Sequence, residues 1–482
     1  MKKAALFLIF AALCVLCTFP VSAEQYKSYS YSSKAGAVAA PCSYSFKEAE
    51  YFDGLKNPQD LYIIGNTVYL LDTGNNRIIV TDTGFESFSV ISELKNTEKS
   101  SFNEPKGIFV NPAGEIYVAD SGNRRVLKLD SDGTVIREII KPASSKFSQT
   151  VEFIPNKLVA DAMDNIYVTC TGIYNGAVMF DKNGVFLGYF GASEVTANKN
   201  VLEDVFWRQF MTAEQKEGMS KYVPAELSAL DVTPDNFIFS ITNSTFKVLS
   251  TEKESMDEIS KLNPKGKNIL NSKMSEKALK YMEKDGKKLK FADVVTDDDS
   301  FIYVVDDSLC RILQYDADLT LLTAFGGKGD ADGLLKKPTA IESAGNCLYL
   351  LDSEKNSITV YEETEFGATL REAIKLYNKG KYDEAIEPFG KVLEMDSNYE
   401  FAYVGIGNAL MGQGNYKAAM ECFKKGYDSE KYNAAFKNYR IEVIRNNFPI
   451  VVAGLILLIV LSATFAIIAK RRRKGRKNCE QK

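Results

Sequence analysis

The sequence predicts a multidomain chain: an all-β six-bladed propeller, an all-α helical-repeat domain and one transmembrane helix. Three observations predict it. A strand-and-turn pattern recurs through most of the chain at the spacing that separates Pro58 from Pro105. A shorter spacing, that of Tyr382 to Tyr416, follows it. An uncharged apolar run over 448–469 then precedes a basic tail.

Residues 1–23 place two lysines before an apolar run that ends at Val21-Ser22-Ala23. A basic start, an apolar core and a small-x-small site form a secretory signal peptide, so residues 1–23 are expected to be removed. Residues 24–43, rich in Ser, Tyr and Ala, are expected to be a loose, flexible leader. Both readings set a compartment before any fold is considered.

The propeller is expected over 44–362. PQDLYIIGNTVYLLDTGNNRIIVTDTG starts at Pro58 and PKGIFVNPAGEIYVADSGNRRVLKLDSDG at Pro105. Further copies start at Pro155, Leu227, Phe291 and Pro338. Each is a set of short apolar strands separated by Asp, Asn and Gly turns, the pattern of an antiparallel unit. One such unit cannot bury both faces, whereas six arranged radially can. The sixth copy has only three strands before Glu362. The segment 44–52 alternates like a strand and is expected to close the ring as the outer strand of the last blade. Two insertions, 192–223 and 249–290, read as partly helical. Trp207 and Phe210 lie in the first, either as a partner-binding surface or as glue to the propeller.

These copies resemble NHL repeats, most specifically at Asp72-Thr73-Gly74-Asn75-Asn76-Arg77 and Asp120-Ser121-Gly122-Asn123-Arg124-Arg125. The resemblance implies that Asp72 pairs with Arg77, Asp120 with Arg125 and Asp306 with Arg311, as braces between strand ends and neighbouring blades. The other copies depart from the motif, with Cys170, Ser240 and Ser357 at its positions.

The segment 363–445 carries the shorter spacing: Tyr377/Met411, Gly380/Gly414, Tyr382/Tyr416, Ala385/Ala419 and Phe389/Phe423. This resembles the tetratricopeptide repeat, two copies and a capping helix, which implies a protein-docking role. The run over 448–469 is long enough to span a bilayer, about 33 Å as a helix. The tail over 470–482 carries eight basic residues and one acid. The positive-inside rule predicts that this tail is cytoplasmic and that 24–447 is extracytoplasmic, on a bacterial plasma membrane. The short linkers predict a partner at the membrane surface or in it.

Composition narrows the chemistry. The chain has no histidine, which removes the commonest general base and zinc ligand. Net charge is −4, but between the two termini 49 basic residues face 62 acids, leaving −13. That argues against nucleic-acid binding, which needs phosphate neutralisation. Five cysteines lie in the predicted ectodomain with no paired spacing, as expected for small buried residues rather than a disulfide framework. Catalytic and cofactor-binding signatures are absent. Asp60, Glu226 and Asp293 fall at the starts of first strands, where a channel mouth is expected. They are either solvated loop residues or oxygen ligands for calcium. The expected role is therefore a membrane-anchored extracytoplasmic scaffold. Its propeller face would bind a solute, glycan or protein, and its helices would dock a membrane partner such as a transporter. A metal-dependent hydrolase of lactonase type is the alternative.

Overall fold

A computed structural model describes residues 27–32, 34, 36–191, 226–242, 259–270 and 289–479. The signal segment 1–23, Trp207 and Phe210 lie outside these. Contacts divide the chain into two units, Met1–Ala368 and Thr369–Lys482.

The first unit opens with β1 (Tyr29–Ser32), β2 (Gly36–Ala39) and β3 (Tyr44–Tyr51). Blade one is β4 (Asp60–Ile64), β5 (Thr67–Asp72), β6 (Arg77–Asp82) and β7 (Phe88–Ile91). Blade two is β8 (Pro105–Val110), β9 (Ile116–Asp120), β10 (Arg125–Leu129) and β11 (Val135–Ile139). Blade three is β12 (Pro155–Ala160), β13 (Ile166–Cys170), β14 (Ala177–Phe180) and β15 (Phe186–Phe190). Blade four has β16 (Leu227–Val232), β17 (Ile238–Thr242) and β18 (Ile259–Leu262) among the described residues. Blade five is β19 (Phe291–Thr296), β20 (Ile302–Asp306), β21 (Arg311–Tyr315) and β22 (Leu321–Gly326). Blade six is β23 (Pro338–Ala344), β24 (Cys347–Asp352) and β25 (Ser357–Glu363).

The six inner strands pack in sequence around an axis, and β23 packs against β4, so the ring is closed. Blade six takes its outer strand from the other end of the propeller. β3 pairs antiparallel with β25, from Tyr51 opposite Ser357 to Tyr44 opposite Glu363. Tyr44 is buried, hydrogen-bonds the Tyr303 hydroxyl at 2.9 Å and stacks on Phe325, so the closing strand also grips blade five. The second strands, such as β9, β13 and β20, are buried along their whole length between neighbouring blades. That explains their unbroken apolar sequences, IYVAD, IYVTC and IYVVD.

Two expectations are corrected here. The leader is not loose over 29–32 and 36–39: β1 and β2 pair antiparallel, and Tyr29 pairs with Ala324 of β22, extending the sheet of blade five to six strands. The outer strand of a sheet offers unpaired backbone groups as a template, and alternating small residues suit it. Ser28, Ser30 and Ser32 are buried there. The second correction concerns 249–290. It contains β18, the third strand of blade four, and the turn over 263–266 that follows β18 matches those over 130–133 and 181–184.

In the second unit, α1 (Glu365–Asn378), which starts at the end of the first, leads into α2 (Tyr382–Met395), α3 (Glu400–Gly412), α4 (Tyr416–Lys425), α5 (Ser429–Asn446) and α6 (Phe448–Cys479). Consecutive helices from α2 to α5 pack together. Gly380 and Gly414 follow α1 and α3 with φ of 74° and 76°, which lets the chain reverse at the same point of each repeat. α3 fits between its neighbours because it carries glycines on both contacts. A Cβ on Gly405 would stand 2.4 Å from the Phe389 ring, and one on Gly407 2.6 Å from Phe423. α6 holds the apolar span Phe448–Arg471, long enough to cross a membrane, with a mean hydropathy of 2.9.

These glycines generate a test. Gly405→Ala should destabilise the helical unit by about 1–3 kcal/mol through overpacking. Gly412→Ala, with open space around it, should be neutral or stabilising. Hydrogen exchange over 382–446 in the full chain would read both; equal protection in the two variants would refute the packing argument.

Candidate functional site

The mouth of the propeller is built by a defect repeated in its inner strands. In blade two Pro105 pairs with Asp120 and Gly107 with Ala119, so Lys106 is an extra, bulged residue. Similar register shifts lie between Leu227 and Ala229, Phe291 and Asp293, Pro338 and Ala340, and between Pro155 and Leu158. A bulge removes a side chain from the strand's alternation and re-aims it. Lys106, Ser228, Ala292 and Thr339, with Gln59 and Asn156, thereby supply one residue per blade to a cavity of about 350 Å³. Lys157, Glu226, Lys290 and Lys337 also line it.

Beneath the bulges the channel is plugged by charge. Lys157 Nζ lies between the carboxylates of Asp60 and Asp293, hydrogen-bonding Asp60 Oδ1 and reaching Asp293 Oδ2 at 3.2 Å. Both carboxylates also tie blades together. Asp60 Oδ2 accepts from Ile108 N–H of blade two at 2.8 Å, and Asp293 Oδ2 from Ile341 N–H of blade six at 3.3 Å. Asp231 does the same from blade four, accepting from Thr296 N–H at 2.6 Å. Glu342, two positions along its strand from Ala340, shares this electrostatic neighbourhood.

Burial dominates the titration of these acids. It pushes Asp60 up to about 7, against the pull of Lys157, and Asp231 up to about 7, against its hydrogen bonds to Thr296. Burial also raises Asp293, and raises Glu342 well above the usual range with help from Asp231 and Asp293. Lys157 is pulled down by burial, but Asp293 and Asp60 outweigh it and keep its ammonium charged.

The calcium expectation for Asp60, Glu226 and Asp293 is therefore corrected. Glu226 does not join the other two: it accepts from Gly172 N–H at 2.6 Å instead. An ammonium stands where a cation between Asp60 and Asp293 would sit. Among the described residues no group of three or more acidic or cysteine side chains could hold a metal. The sequence reading missed Lys157, Asp231, Glu342 and the bulged residues. Their signal was available: they stand at fixed offsets from the first residue of each copy.

The repeat motifs are braces. Arg77 Nε and Arg125 Nε each donate to their aspartate at 2.7 Å. Asp72 and Asp120 also accept from Lys56 and Asn103 backbone N–H, at 2.9 and 2.7 Å. The hydroxyls of Thr73 and Ser121 donate to Pro105 and Pro155 carbonyls of the next blade. Blade five differs. Asp306 stands opposite Arg311 in register, but it accepts from Lys290, Ser308 and Leu309 backbone N–H. Arg311 lies over the Tyr29 ring, 5.3 Å from its centroid, so the added strand pair redirects that arginine. Cys42, Cys170, Cys310 and Cys347 are buried, as expected for small apolar residues.

The channel acids and the braces can each be tested through stability. Asp231 holds its proton more tightly when folded. Its contribution is therefore full below the ordinary carboxyl value of 3.8 and is lost as pH rises to about 7. Asp231→Asn should remove that part of the slope, leaving the variant relatively more stable at the upper end of this window in urea titrations. A wild-type-to-variant difference independent of pH would contradict the assignment. Separately, Arg125→Met should cost about 3–5 kcal/mol, because it strands a buried carboxylate. Arg77→Met, at a pair whose arginine is 29% exposed, should cost less; equal losses would count against burial as the cause.

The NHL repeat model matches residues 102–129, which hold most of blade two. The uncharacterized protein MJ0572 of Methanocaldococcus jannaschii is 34% identical over 62 residues, spanning 13% of this chain and 72% of that one. Among solved structures, virginiamycin B lyase of Staphylococcus aureus shares 10% identity at a TM-score of 0.40, over 66% of this chain and all of that one. A gluconolactonase of Xanthomonas campestris shares 10% at 0.40, over 69% and 92%. Hydrazine synthase of Kuenenia stuttgartiensis shares 13% at 0.40, over 65% and 80%.

Proposed function

We propose that this chain, a six-bladed propeller with an NHL repeat over 102–129, is a membrane-anchored scaffold that binds rather than transforms. The observation that carries the reading is the mouth cavity. Every blade contributes to it, chiefly amides, hydroxyls and lysines, which recognise polar groups. The chain has no histidine to act as base there. The propeller face would hold an extracytoplasmic solute, glycan or protein. The helices α1 to α5 would dock a membrane protein, a transporter being one such partner, and α6 would anchor the chain with its basic tail in the cytoplasm. The lactonase-type alternative needs a divalent ion among Asp60, Glu226 and Asp293, and Lys157 speaks against it.

Two measurements test this. Crosslinked membranes solubilised in detergent should yield the full chain with a membrane protein, and recovery should fall when the surface of α2 to α5 is altered. The purified protein should carry no stoichiometric divalent ion and show no thermal shift with calcium. Recovery of no membrane partner would sink the docking role, and a calcium-dependent shift would restore the hydrolase.

A further inference from the structure

We propose that the mouth cavity is a receptor site for a small organic anion bearing hydroxyl or amide groups. The inference rests on the reading of the mouth as a binding site and adds the ligand's class. Its ground is the distribution of charge around the rim. Lys290 belongs to blade five, Lys337 to blade six and Lys106 to blade two. Lys290 is paired with Asp307 at 2.7 Å. Lys106 and Lys337 have no ion-pair partner among the described residues, and both line the cavity. Two acids share the lining: Asp307, paired with Lys290, and Glu226, which accepts from the Gly172 N–H at 2.6 Å and keeps its negative charge.

Most of this ectodomain repels anions, since the chain between its termini carries −13. With Lys290 balanced by Asp307, the ammonium groups of Lys106 and Lys337 outweigh Glu226 among the described lining residues, and a positive excess at one concave site is a local reversal, not a sample of the average surface. A concave, low-dielectric wall strengthens their attraction for an anion. Lys157 adds little net charge, because Asp60 and Asp293 neutralise it; it closes the floor instead. Between the lysines stand Gln59, Asn156, Ser228 and Thr339, which can donate to or accept from hydroxyls and amides. A cavity of about 350 Å³ is at the small end of ligand sites, which fits a compact molecule rather than a polymer segment.

The test uses the full chain in detergent and two probes of matched shape and different charge, L-malate and its neutral diamide, followed by titration calorimetry. Malate should bind at least about tenfold more tightly than the diamide, and more weakly as salt rises. The double variant Lys106→Gln/Lys337→Gln should lose at least about tenfold of malate affinity with its melting temperature unchanged. Lys146→Gln, at an exposed residue that is not part of the cavity lining, should bind as wild type does. Equal affinity for the two probes, or malate binding untouched in the double variant, overturns the proposal. Inorganic phosphate binding as tightly as malate also overturns it, because the amide and hydroxyl lining would then contribute nothing. A neutral solute held at the mouth in preference to malate would overturn the anion assignment and leave the binding role standing. That role fails on its own evidence, the loss of partner recovery or the gain of calcium dependence.

Discussion

The propeller depends on a strand borrowed from the far end of its own sequence. Blade six ends at Glu363 with three strands of its own, and β3, which precedes every other blade strand, completes it. Without that pairing β25 would present an open edge of unpaired backbone groups, and the two ends of the propeller would not be joined. The closing strand is held by more than its ladder. Ser43 hydrogen-bonds Thr323 at 2.6 Å, and Tyr44 fits among Tyr303 and Phe325, so the join is buried against blade five. Closure brings β23 beside β4, and only then do Asp293, Lys157 and Asp60 face one another across the axis.

Inside the ring, the same residue type does different work at different radii. Outer aspartates such as Asp72 and Asp120 face arginines and backbone N–H groups at blade ends, which satisfy both oxygens. Inner aspartates such as Asp60, Asp231 and Asp293 reach across to the next inner strand and sit in a channel with one ammonium among them. The outer set braces the blades with fully satisfied charges. The inner set stores unfavourable burial, visible as raised carboxyl pKa values. Burial of this kind is a poor source of stability and a common feature of functional clefts.

The two repeat spacings and the apolar run were legible because each is a local pattern that recurs or persists. Repetition makes weak strands identifiable: Ile116–Asp120 alone is a short apolar segment, but its echo in Thr67–Asp72 and Ile302–Asp306 is not accidental. Reading failed where the pattern was interrupted. β18 lay hidden because an insertion separates it from β17, although the turn over 263–266 that follows it carried the signal. The β1–β2 pair lay hidden because serine and alanine look like leader composition. What orders them is the free edge of β22, which lies four blades of sequence away.

The chain's own letters determined the number of blades, the brace pairs of the first two, the helical hairpins and the apolar span, since all follow from spacing and from residue preference within a few dozen positions. The ring's interior was decided by folding alone. Which acid meets which lysine depends on strand order, register and five small bulges, and these bring Asp60, Lys157 and Asp293 together through contacts no local pattern encodes. A carboxylate's role is set by what desolvates and opposes it, and in a closed ring those neighbours come from other blades.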